Sequence, residues 1–146
     1  MVITDIISQL KRDEGFRADM YEDAVGKHTV GYGHNLDANP LPDLKFPITE
    51  VQATQILGVD VERISALLQR ELPWVVSLDD ARHGVLQNLG FNIGVGGLLK
   101  FYHMLAYMSE GKYVGAAEAL VQSEWYNEVG DRAKRLVQQA LTGVWQ

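Results

Sequence analysis

The chain has no cysteine. Disulfide scaffolds and thiolate metal sites are therefore excluded, and packing alone must hold the fold, as suits synthesis in a reducing compartment. No apolar run approaches the roughly 20 residues that cross a bilayer, so stable membrane insertion is not expected. The opening "MVITDIISQLKRDEG" lacks a basic stretch followed by an apolar one, so synthesis in the cytoplasm without a signal peptide is expected. A basic excess is missing as well: 13 Lys and Arg stand against 19 Asp and Glu, a net charge of −6. Nucleic acid, which requires clustered cations, is not an expected partner. The imbalance is concentrated early, with ten acids and five bases in residues 1–60 and nine acids and eight bases in residues 61–146. The one basic knot, "RAKR" at 132–135, reads as a solvated helix face.

What is present is ordinary globular material: 146 residues, 47% of them apolar. That suffices for one core, or for two small lobes sharing a helix. Ile3, Ile6, Ile7 and Leu10 recur at helical spacing after a possible cap at Thr4 or Asp5, and Gly15 stops the helix. Residues 20–34 change rhythm and predict a β-hairpin or small sheet turning near "VGK". The proline-bearing stretch 35–47 is loop. Thr49 and Gln52 have capping-box spacing and open a helix to about Leu72, with Gly58 as a possible break. Ser77 and Asp80 form a second box-like start, and "GFNIGVGG" ends the helix that follows. Further helices are predicted near 98–109, 112–123 and 131–141, with Gly111 and Gly143 as stops. The expected fold class is α+β, mostly helical: a single domain over 1–146, with a small N-lobe at 1–60 and a linker helix and helical C-lobe at 61–146.

The segment "DEGFRADMYEDAVGKHTVGYGH", residues 13–34, holds five carboxylates, two histidines and four glycines. Glu14 continues the apolar stripe of the first helix, four residues past Leu10. Burial there disfavours its charged form, and the helix C-terminus adds to that effect. Both favour a carboxyl that keeps its proton, as a general acid must. The competing reading is a glutamate that only pairs with an arginine. Asp13, about a third of a turn round, reads as solvated or as a partner for the C-lobe. Asp23 enters the hairpin, and a buried acid with a second carboxylate on a polar hairpin is the pair glycoside hydrolysis uses. A turn centred near Gly26 would set Thr29 opposite Asp23, where the two could hold a water. Each is also an ordinary turn or strand residue. His34 lacks metal-ligand spacing and no metal is expected; Asp60, on the apolar side of its helix between Leu57 and Ile64, is its expected partner.

These segments resemble the T4-type phage lysozymes, endolysins and muramidases of the glycoside hydrolase family 24 type. The likeness runs in order through residues 13–34, "ITEVQATQILGVDVERI", "LDDARHGVLQNLGFNIG" and "SEWYNEVGDRAKRLVQQALTGVW". The resemblance implies a lysozyme-like fold with a long helix joining the lobes. It implies an inverting hydrolysis of the β-1,4 bond between N-acetylmuramic acid and N-acetylglucosamine, without a cofactor. Glu14 takes the position of the general acid, and Asp23 and Thr29 those of the pair holding the attacking water. Arg132 takes that of an arginine paired with the catalytic glutamate, which would favour the charged carboxylate against burial. Asn35, Phe91 and Asn92 are candidate sugar contacts, with packing and capping as their other readings. Asn92 stands where a family member carries glutamine, and the acidic charge departs from the often basic family.

The resemblance further implies bacterial peptidoglycan as the partner, action at the cell wall, dependence on a separate pore-forming holin, and a monomer. Two other readings stay open. A lytic transglycosylase would cut the same bond with one glutamate and leave 1,6-anhydro ends, but would not need Asp23 and Thr29. A non-catalytic peptidoglycan-binding module of a phage particle would bind without cleaving. Membrane disruption through "DRAKRLVQQALTGVW" is a third, against ordinary core packing of that helix.

Overall fold

A computed structural model describes residues 2–146; Met1, the first residue of the sequence-drawn domain, lies outside them. The architecture is α+β and lysozyme-like, 62% helical, with seven α-helices and one three-stranded antiparallel sheet among the described residues. Two compact units emerge: Ile7–Arg63, and Ile64–Gln146 together with the described residues before Ile7.

The first unit holds the sheet. Helix α1, Ile6–Glu14, ends where Gly15 takes a left-handed φ of 71° and its N–H reaches Lys11. Strands β1 (Arg17–Glu22), β2 (His28–Gly31) and β3 (His34–Asn35) follow in spatial order. Helix α2, Glu50–Glu71, starts with a reciprocal cap. Thr49 N–H donates to Gln52 Oε1 at 2.9 Å, and Gln52 N–H donates to Thr49 Oγ1 at 3.1 Å. Gly58 does not break α2, which is continuous across it; one glycine in a helix otherwise tied by packing costs too little to end it. The unit's core is Leu10, Val30, Ile48, Ala53 and Leu57. Gly31 allows the sheet to lie on α2: a Cβ there would sit 3.3 Å from that of Ala53, at a φ of +66°.

The second unit is helical. A 3₁₀ turn at Pro73–Ser77 precedes α3, Asp80–Leu98, whose cap is Asp79 accepting from Arg82 N–H. Ser77 therefore does not start this helix: the 3₁₀ turn uses it, and Asp79, two residues on, takes the role. "GFNIGVGG" produces a kink in place of an end, with Gly94 at φ 80° and ψ 153° inside α3. Helices α4 (Tyr102–Ser109), α5 (Tyr113–Val121), α6 (Glu124–Val129) and α7 (Asp131–Thr142) complete the unit. Helix α6 had no counterpart in the sequence reading.

Leu68, Val85, Leu86, Leu89, Leu98, Met104, Leu120 and Leu136 form the core of this unit. Its three tryptophans, Trp74, Trp125 and Trp145, are the only ones in the chain. Arg82 ties α3 to the end of α7, donating to the carbonyls of Ala140 and Leu141 at 2.8 and 2.9 Å while stacking on Tyr113. The "RAKR" knot is not a solvated face. Arg132 and Arg135 are half-buried and only Lys134 is exposed, because Ala133, Leu136 and Val137 turn that part of α7 inward.

Candidate active site on the hairpin

Glu14 is the last residue of α1, half-buried, one residue before the glycine that releases the chain into β1. Its neighbour Asp13 is not solvated: its side chain is 1% exposed and accepts from Arg12 Nε and Nη2 at 3.1 and 3.0 Å. Burial of a carboxylate next to an arginine on the same helix makes such a pair necessary.

Asp23 closes the hairpin. Its N–H donates to the Lys27 carbonyl at 2.9 Å, and its Oδ1 accepts from Val25 and Lys27 N–H at 3.0 and 2.8 Å. These bonds make the tight turn, with Gly26 at φ 83°. Both side-chain bonds fall on Oδ1 and leave Oδ2 available. The ladder sets Thr29 opposite Tyr21 and His28 opposite Glu22. Thr29 is therefore not directly opposite Asp23, because the turn spans Asp23–Lys27 and is centred on Val25, one residue earlier than the sequence suggested. With a side-chain period of two, Asp23 and Thr29 still share a face as diagonal neighbours, roughly 7–8 Å apart between backbones. Thr29 is 4% exposed, and its hydroxyl donates to the Lys27 carbonyl at 2.9 Å. With its proton so committed, the oxygen presents lone pairs.

His34 and Asp60 form a buried pair, with Nδ1 2.8 Å from Oδ2, and the second ring nitrogen lies 2.8 Å from the Asn39 carbonyl. Arg63 also donates to Asp60, at 2.9 Å. Burial pushes the His34 pKa down, but the bond and charge of Asp60, with the Asn39 carbonyl, outweigh it, and the net shift is upward. The pair fastens β3 to α2 at the foot of the sheet.

The candidate sugar contacts are differently placed. Asn35 spends its side-chain oxygen on the loop, accepting from Asp37 and Ala38 N–H at 2.9 and 3.0 Å. Asn92 is exposed and accepts from Trp125 Nε1 at 2.9 Å, while Phe91 packs on the helical core. Arg132 donates through Nε to Asn88 at 3.0 Å in the same unit. A cavity of about 840 Å³ in the helical unit is lined by Phe101, Tyr107, Glu118 and Trp125 among others. It includes none of the sequence-predicted residues, and size alone is a weaker guide than the placement of the carboxylates. Among the described residues no group of three or more His, Asp or Glu is arranged to hold a metal ion.

Glu14, Asp23 and Thr29 thus gather in one unit, around one hairpin. The profile of the family described as Phage lysozyme matches residues 11–141. The chain belongs to the phage lysozyme family. Among its relatives, the pre-baseplate central spike protein Gp5 of Enterobacteria phage T4 is 31% identical over 92% of this chain, which spans only 27% of that protein's length. Probable T4-type lysozyme 1 of Dictyostelium discoideum is 24% identical, covering 97% of this chain and 96% of its own. An endolysin of Acyrthosiphon pisum secondary endosymbiont phage 1 is 32% identical over 74% of this chain and 69% of its own.

Two further residues of this lysozyme-family hairpin escaped the sequence reading. Tyr21 lies directly across from Thr29, and Arg17 stacks on its ring with the guanidinium 4.2 Å from the centroid. The available signal was the period of two that carries Tyr21, Asp23 and the returning Thr29 to one face.

Proposed function

We propose that this chain is a muramidase that cleaves the β-1,4 bond between N-acetylmuramic acid and N-acetylglucosamine with inversion at the anomeric carbon. The coarse part, a peptidoglycan hydrolase of glycosidase type, follows from membership in the phage lysozyme family. The bond and the mechanism are our reading of the hairpin. Glu14 protonates the glycosidic oxygen as the bond from the anomeric carbon breaks. A water attacks that carbon from the opposite face, and Asp23 Oδ2 takes its proton. The observation that carries this reading is the division of labour on the hairpin. Asp23 keeps one oxygen out of the turn it builds, and Thr29, whose hydroxyl donates to the Lys27 carbonyl, presents its lone pairs to a water.

Action at the cell wall, passage of the inner membrane through a holin, and a monomeric state belong to the same proposal. No helix among the described residues is long and apolar enough to cross a membrane.

Mass spectrometry of soluble products from purified peptidoglycan, digested by the wild type, Glu14→Gln and Asp23→Asn, tests the reading. The asparagine keeps an oxygen to accept the two turn N–H groups, so the hairpin persists while the base is lost. Reducing-end muropeptides from the wild type, with turnover lowered about 10²–10⁴-fold in both variants, are expected. Anhydro ends that persist in Asp23→Asn would make the chain a transglycosylase. A second reading, a wall-binding module of a phage particle, draws on the likeness to the spike protein, within which the matched region is a part. It would be established by wild-type protein that binds sacculi and releases nothing.

A further inference from the structure

The hairpin face that carries Asp23 and Thr29 carries a third polar group. Tyr21 is the cross-strand partner of Thr29, and Asp23 follows two residues on, with its N–H continuing the ladder to Lys27. All three side chains therefore leave the sheet on one side. Arg17 covers one side of the Tyr21 ring at 4.2 Å and holds its direction. The β1–β2 register is irregular between Arg17 and Tyr21.

The charges that face the phenol come from each flanking element: Glu14 from α1, Arg17 from β1, and Asp23 from the turn. Burial raises its pKa first, the two carboxylates add to this, and Arg17 subtracts. The phenol therefore keeps its proton throughout the working range. No hydrogen bond from the Tyr21 hydroxyl to another described residue is formed. A half-buried O–H held in the field of both carboxylates, with no acceptor among the described residues, is a donor kept for something that arrives between them.

We propose that Tyr21 is a substrate-binding residue, donating a hydrogen bond from its hydroxyl to the sugar that spans Glu14 and Asp23, and that Arg17 is a positioning residue acting through the Tyr21 ring. The inference rests on the muramidase reading above. It adds to that reading a contact at the point of cleavage.

Tyr21→Phe isolates the hydroxyl. Because that group bonds nothing in the protein, the thermal midpoint should not change, whereas kcat/KM on soluble peptidoglycan fragments should fall about 3–10-fold, the worth of one neutral hydrogen bond. A bond made to the bound sugar in ground and transition state alike places the loss in KM, with kcat and the pH profile unmoved. Arg17→Met should reproduce part of the loss, and Arg17→Lys, which keeps a cation over the ring, should restore much of it. Tyr21→Phe with wild-type kinetics would overturn the role of the hydroxyl. So would a variant whose lost activity follows a lowered thermal midpoint, since that marks a structural role. Either result beside an active wild type leaves the muramidase reading standing. A wild type that releases no reducing ends removes both.

Discussion

Both ring nitrogens of His34 face groups that only accept: the carboxylate of Asp60 and the carbonyl of Asn39. The ring satisfies both only as imidazolium, which accounts for the upward shift of its pKa from 6.5. A group whose folded value exceeds its unfolded one stabilises fully below the unfolded value, and the contribution is lost as pH rises through the folded one. His34→Asn should therefore cost most in urea unfolding below pH 6.5, about 3–5 kcal/mol for a buried pair left without one partner, and progressively less as pH rises above it. A cost independent of pH would assign the loss to packing. At this scale the residues of the candidate site stand out in the sequence because chemistry names them: a carboxylate on an apolar stripe, and a second at a turn. What sequence did not give was orientation. Thr29 opposes Tyr21 because Asp23 itself draws Val25 and Lys27 into the turn and moves its centre. Tyr21 passed unnoticed since an aromatic in a strand is common, and only the register makes it a neighbour of Thr29.

Among the elements, short-range signals read well. The stop at Gly15, the reciprocal cap of Thr49 and Gln52, and the left-handed ends at Gly111 and Gly143 each depend on a few adjacent residues. Helix α6 was missed because its six residues, between a Ser123 cap and Gly130, cannot display a helical period. Two glycines mark the contrast between tolerated and required. Gly58 lies in the interior of α2 with open space where a Cβ would go, so Gly58→Ala should stabilise by about 0.5–1 kcal/mol. Gly94 also has open space, but its φ of 80° with ψ of 153° suits glycine almost alone. Gly94→Ala should destabilise by about 1–3 kcal/mol. Chemical denaturation of the two variants side by side checks both signs, and a stabilising Gly94→Ala would contradict the kink.

For the whole molecule, charge is the property that neither fold nor site determines. On the proposed function, a net charge of −6 faces a polymer that itself carries carboxylates, and the two repel at long range. Raising salt from about 10 mM to about 100 mM shortens the screening length from roughly 30 to 10 Å and should increase activity on sacculi. A steady fall over that interval would mean that a local cationic patch governs the encounter. The distribution of aromatic residues has its own consequence for experiment. Since Trp74, Trp125 and Trp145 all belong to the helical unit, tryptophan fluorescence observes that unit and is blind to the hairpin, whose chromophores are tyrosines. An emission melt of His34→Asn would watch the wrong half of the chain. Compared with far-ultraviolet dichroism, which averages over every helix, the same blindness becomes an instrument: coincident curves would mean that the two units melt as one, and a dichroism transition that precedes the emission change would time the loss of the hairpin unit separately.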